Sequence, residues 1–158
     1  MNILDKKIDK IDIVLASKSP RRQELLKNII SNFKIEVREI EETFPDTLNG
    51  GEIAQYISEQ KANAFKHTNE NSMIITADTI VCLEEKVLGK PKNHENAFEM
   101  LRSLSGKKHT VFTGVSLLFK NKLTSFYDET NVSFYELSDE EINEYIKNHQ
   151  PFDKAGSY

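Results

Sequence analysis

The apolar run Ile11–Ala16 (IDIVLA) is short and rich in β-branched residues, a pattern that predicts a buried strand. The period then changes. In SKSPRRQELLKNII, Ser19 and Pro20 place an N-cap ahead of a proline suited to a first helical position. Leu25, Leu26, Ile29 and Ile30 fall on one face of that predicted helix. FKIEVREI (33–40) alternates and predicts a second strand, and residues 41–51, with Pro45, Asn49, Gly50 and Gly51, predict a loop. A helix over 52–67 offers Ile53, Ile57, Ala64 and Phe65 as its apolar face. MIITADTIVCLE (73–84) predicts a long strand interrupted by the small polar trio Ala77, Asp78 and Thr79.

Glu84-Glu85-Lys86 predicts a hairpin turn, although the asparagine or glycine of a tight turn is missing. A helix follows over about 94–104 and ends at Ser105-Gly106. HTVFTGVSLLFK (109–120) and KLTSFYDETNVSFYEL (122–137) predict an antiparallel hairpin across Asn121-Lys122. Ser138 with Glu141 forms a capping-box pattern that opens a helix to about residue 148. Strands and helices in this order predict an α/β fold with a mixed sheet, not a clean doubly wound one.

Length and composition narrow this picture. At 158 residues the chain is about one domain, and 38% hydrophobic with 29% charged residues is a globular composition. No apolar run approaches the roughly 18 residues of a membrane helix, and Ile11–Ala16 is too short for a signal-peptide core. A single cysteine, Cys82, excludes an internal disulfide and a cysteine zinc cage. A cytoplasmic protein without membrane contact is therefore expected. The net charge of −4 argues against nucleic acid as a partner, because duplex binding needs a strong basic field.

Some side chains nevertheless suit chemistry. Ser17, Lys18, Ser19, Arg21 and Arg22 lie between a predicted strand and a helix N-terminus, where free amides and the helix dipole attract anions. Two arginines can fork onto phosphate oxygens. This is not a Walker loop, which needs glycines and a GK[ST] ending, and a capped surface helix with solvated arginines explains the segment equally well. Asp78 is costly within an apolar strand unless a cation, a metal or proton transfer accompanies it; a solvent-facing bulge is the other reading. Lys61 and Lys90 can each contact phosphate as point charges, or simply be solvated. Glu41 and Glu42 offer oxygen to a divalent cation, or form an exposed acidic loop. His67, His94, His109 and His149 show no metal-ligand spacing.

These pieces, in this order, resemble the Maf family of nucleotide pyrophosphatases. The likeness is carried by LASKSPRRQELL (15–26), IEE (40–42), QKANA (60–64) and ADTIVCLEEKVLGKP (77–91). MLRSLSGKKHTVFTGVSL (100–117), LSDEEINEYI (137–146) and PFDKAGSY (151–158) continue it. The resemblance implies a Maf or inosine-triphosphatase-like fold, with a mixed twisted sheet and two lobes around a nucleotide cleft. It implies hydrolysis of a nucleoside triphosphate to the monophosphate and pyrophosphate with Mg2+ or Mn2+, in a cytoplasmic enzyme that is often a homodimer. Ser17, Arg21 and Arg22 would then hold phosphates, Lys61 and Lys90 would neutralise the triphosphate, Asp78 would accept a proton from water, and Glu42 with Asp78 would contact metal. SPRR and ADT, with Arg21, Arg22 and Thr79, are similar to the branch acting on dTTP and UTP rather than 7-methyl-GTP.

Residues 1–158 are expected to form one such domain. Family members continue with a GIQG-like segment, a hairpin and a final helix, so the C-terminal part of the usual domain is expected to be absent. The competing expectation is a catalytically impaired nucleotide-binding protein that acts through binding, in septum formation or growth arrest.

Overall fold

The computed structural model describes residues 3–66 and 71–158; His67, the last position of the helix expected over 52–67, lies outside them. Its sheet contains β1 (Asp12–Leu15), β2 (Lys34–Ile35), β3 (Ser72–Leu83), β4 (Lys86–Leu88), β5 (Lys108–Phe119) and β6 (Lys122–Ser133). The order is β2-β1-β3-β5-β6, with β4 also on β3. β1 is parallel to β2 and β3, and the remaining pairings are antiparallel, so the sheet is mixed as expected. The helices are α1 (Ile3–Ile8), α2 (Pro20–Lys27), α3 (Gly51–Asn63), α4 (His94–Leu104) and α5 (Asp139–His149), followed by short 3-10 turns at Pro151–Asp153 and Ala155–Ser157.

Locally encoded boundaries come out where the pattern put them. Ser19 caps α2, accepting from the Arg22 amide at 3.5 Å. α4 runs over His94–Leu104, and both halves of the Ser138–Glu141 capping box are present. The β5–β6 turn is Lys120-Asn121, one residue earlier than expected. Both residues have positive φ (49° and 60°), the geometry of a two-residue turn that matches strand twist.

Four expectations are corrected, three of them by a tertiary partner. β3 is not interrupted at Ala77-Asp78-Thr79, because β5 pairs with it continuously from Ile74 to Cys82. The strand expected over 33–40 shrinks to Lys34–Ile35, since its partner β1 ends at Leu15 and a ladder cannot outlast its partner. The run expected to 137 stops at Ser133, opposite Lys108, for the same reason. α2 ends at Lys27 and buries no residue: Leu25 is 64% exposed and Ile29 lies beyond the helix, while only Ile30 of the expected face is buried.

α3 lies across one face of the sheet. Ile53, Ala54 and Ile57 pack on Ile80 and Cys82, and Ala62 and Phe65 pack with Val14, Ile74 and Leu118. The other face of β3 meets α4 through Val81, Leu83 and Leu104, and α4 packs on α5 through Ala97, Leu101, Ile142 and Ile146. Gly114 sets how close α3 comes. A Cβ there would sit 2.3 Å from the Ala54 backbone, so only glycine admits the helix at this height. Among the described residues, no helix is long and apolar enough to cross a membrane.

Candidate active site in a gap of the sheet

β3 has one continuously paired edge and one broken edge. On the broken side, β1 covers Ser72–Ile75 and β4 covers Val81–Leu83. Between them the edge at residues 76–80 carries no strand. Ala16 donates its amide to the Ile75 carbonyl at 2.8 Å, which shows that Ile75 faces this edge. Alternation then turns the backbone groups of Ala77 and Thr79 the same way, into the gap. The polar trio that looked like an interruption is the floor of an opening between two neighbouring strands.

A cleft of about 800 Å³ occupies the gap. It gathers Ser17, Arg21, Arg22, Glu42, Lys61, Asp78, Thr79 and Lys90, residues from five separate chain segments. Of the candidate residues considered from sequence for phosphate and metal, Glu41 alone does not line this space. Seven basic and four acidic side chains border it, although the whole chain carries −4. The cleft is locally cationic on an acidic protein, which concentrates anions there.

Side chains of β3 alternate about the strand. Asp78 faces α3, where Lys61 donates to its carboxylate at 2.6 Å. Lys61 also bridges to Glu42 at 2.9 Å. Asp78 is only 8% exposed, and burial pushes its carboxyl above the usual range against the pull of Lys61. Glu42 is more open. Burial raises it, but hydrogen bonding and charge from Lys61, with help from Lys90 and Arg22, bring it below the usual range. Gly114 lies directly opposite Asp78 in the ladder, so the close approach of α3 at that glycine is what brings Lys61 within reach.

Arg22 enters from the other side. Its Nη1 donates to the Ala77 carbonyl at 2.9 Å and its Nη2 to Thr79 Oγ1 at 3.0 Å. The guanidinium therefore takes the place of a missing strand at this carbonyl. Burial lowers its pKa from the ordinary arginine value, with Asp78 opposing the shift. Ser17 is buried, and its Oγ accepts from the Ser19 amide at 3.2 Å. Arg21 and Lys90 are exposed at the rim. Thr113 on β5, opposite Thr79, was not singled out from sequence. Its neighbours Gly114 and Val115 form a TGV triplet within a strand-like run, and no local signal separates that threonine from an ordinary strand residue.

Among the described residues, no cluster of three or more His, Cys, Asp or Glu side chains is placed to hold a metal ion. Asp78 and Glu42 do present two carboxylates to one position, now filled by the Lys61 ammonium. Two hard oxygen donors that already gather around a positive charge fit a divalent cation that draws its other ligands from water and phosphate.

Comparisons with known proteins bear on the family and the fold. A family model described as Maf-like protein matches residues 12–158. A dTTP/UTP pyrophosphatase of Flavobacterium psychrophilum is 47% identical over 157 residues, covering 99% of this chain and 80% of the relative. One from Bacteroides thetaiotaomicron is 48% identical over 153 residues, covering 96% and 79%. A Staphylococcus aureus Ham1 protein superposes with a TM-score of 0.53 at 19% identity, over 81% of this chain and 72% of its own. A HAM1 protein from Coxiella burnetii gives 0.53 at 18%, over 78% and 72%. At such identities these two structures show a shared fold alone.

Proposed function

The chain belongs to the Maf family, and on that premise we propose that it is a nucleoside triphosphate pyrophosphatase acting on dTTP and UTP. The observation that carries the reading is Asp78, a buried carboxylate with a raised pKa, held by Lys61 on the floor of a cationic cleft. A general base works best when its pKa lies nearer the working pH than an ordinary carboxylate does. The relatives named dTTP/UTP pyrophosphatase support the substrate.

In this reading the cleft's basic excess draws in the triphosphate. Ser17, Arg21 and Lys90 hold its phosphate oxygens, and Arg22, fixed against β3, presents charge from the side of the gap. Lys61 neutralises the polyphosphate. Asp78 takes a proton from a water molecule as the water oxygen bonds to the α-phosphorus. The bond from that phosphorus to the α–β bridging oxygen breaks, and pyrophosphate leaves with the electron pair. The monophosphate remains, and Asp78 returns its proton to solvent. Magnesium or manganese held by Asp78 and Glu42 would supply charge stabilisation on the phosphoryl oxygens.

The test is pyrophosphate release with dTTP, UTP, CTP, GTP, ATP and 7-methyl-GTP in the presence of magnesium, beside Asp78→Asn. The expected result is turnover of dTTP and UTP, reduced roughly 10²- to 10⁴-fold in the variant. Preferred hydrolysis of a purine nucleotide, or a fully active Asp78→Asn, would overturn the assignment.

A further inference from the structure

We infer that Thr113 is a positioning residue for Arg22, acting through Thr79. The inference rests on the pyrophosphatase reading for its consequence but on geometry for its substance.

Thr79 and Thr113 are register partners on adjacent antiparallel strands. Thr79 turns its backbone groups into the gap, so the two form a non-hydrogen-bonded pair, the kind that brings opposing side chains closest. Their hydroxyl oxygens lie 3.1 Å apart. Thr79 Oγ1 receives Arg22 Nη2 at 3.0 Å. A hydroxyl has one proton and two lone pairs, so Thr79 Oγ1 can accept from the guanidinium and share a second bond with the Thr113 hydroxyl whichever of the two donates. The contacts run from Arg22 through Thr79 to Thr113, and each bond polarises the next.

The arrangement answers a physical problem. Arg22 spans a break in a sheet, and one anchor, the Ala77 carbonyl, lets a planar guanidinium pivot about that bond. A second anchor stops the pivot only if the Thr79 rotamer is itself held. Among the described residues, the Thr113 hydroxyl is the only other hydrogen-bond partner of Thr79 Oγ1. Thr113 therefore sets where the guanidinium charge points, although it lies on the strand behind.

The test compares Thr113→Val, which keeps the shape and removes the hydroxyl, with Thr113→Ser, which keeps the hydroxyl. In protein labelled with 15N-arginine, the Arg22 Nη protons are assigned by their loss in Arg22→Lys. Wild type and Thr113→Ser should show separate Nη signals from hindered rotation, and Thr113→Val should show them averaged. With dTTP and magnesium, Thr113→Val should lower kcat/KM roughly five- to tenfold, the loss of about one hydrogen bond. Thr113→Ser should restore it, and Arg22→Lys/Thr113→Val should be no worse than Arg22→Lys. Unchanged Arg22 signals in Thr113→Val would refute the positioning role. Additive losses in the double variant would refute it too, and would make Thr113 an independent substrate contact. A wild-type chain without turnover would sink the pyrophosphatase reading, yet the Nη signals would still decide the relay.

Discussion

Replacing Lys61 with methionine removes the ammonium from between two carboxylates and keeps an unbranched apolar stem of similar length. The two carboxylates lose unequally. Glu42 has a side chain 45% exposed, so water replaces most of what it loses. Asp78 has a side chain only 11% exposed and sits 2.6 Å from the ammonium. Removing one partner of a buried ion pair costs about 3–5 kcal/mol. The open cleft on one side of Asp78 puts the expected loss at the lower end, about 3 kcal/mol, or a Tm drop of roughly 6–12 °C for a chain of this size.

The pH dependence has a definite sign. Without Lys61 the burial that already raises the Asp78 pKa is opposed only by Arg22, so the folded value rises further. Between the unfolded and folded values, the folded state then binds more protons than the unfolded chain. Lys61→Met should therefore lose stability as pH rises through that window and regain it on acidification. Lys61→Met/Asp78→Asn should recover most of the deficit at neutral pH. Urea unfolding at neutral and mildly acidic pH reads both effects. Lys61→Met within about 0.5 kcal/mol of wild type, or no rescue by Asp78→Asn, would show that the buried pair does not carry this energy.

Gly114→Ala should destabilise by about 3 kcal/mol or more, because its Cβ meets the Ala54 backbone rather than a flexible side-chain end, and it should lower turnover by lifting Lys61 from Asp78; thermal unfolding and pyrophosphate release check the two parts. Ser138→Ala removes the capping box of α5, far from the cleft, and should cost about 1 kcal/mol in urea unfolding with turnover unchanged. Glu42 has a folded pKa below its ordinary value, so it contributes stability at neutral pH that is lost as pH falls through that folded value. Glu42→Gln should accordingly be less stable than wild type at neutral pH, with the gap closing in acid; equal unfolding midpoints at neutral pH would count against that linkage.

What could be read along the chain was what depends on neighbours in sequence. Ser19 before Pro20 and Ser138 before Glu141 start helices because a cap needs only a side chain three residues from the amides it serves. The candidate site was legible for a related reason. Asp78 in an apolar strand, and SPRR after one, are chemically costly or unusual wherever they fold, and the cleft contains all of them. The β3–β5 ladder, the short β2 and the early end of β6 were not legible, because the extent of a strand is set by a partner many residues away. The bare apolar face of α2 belongs with these: periodicity shows that a face exists, not that anything covers it. The same limit hid Thr113 and the reason for Gly114. One acquires its role only when register sets it opposite Thr79, and the other only when α3 descends onto β5. Residue chemistry along the chain chose the acid, the bases and the caps. Long-range pairing opened the gap in the sheet, turned Asp78 and Thr79 to opposite sides of one strand, and gave each its cation.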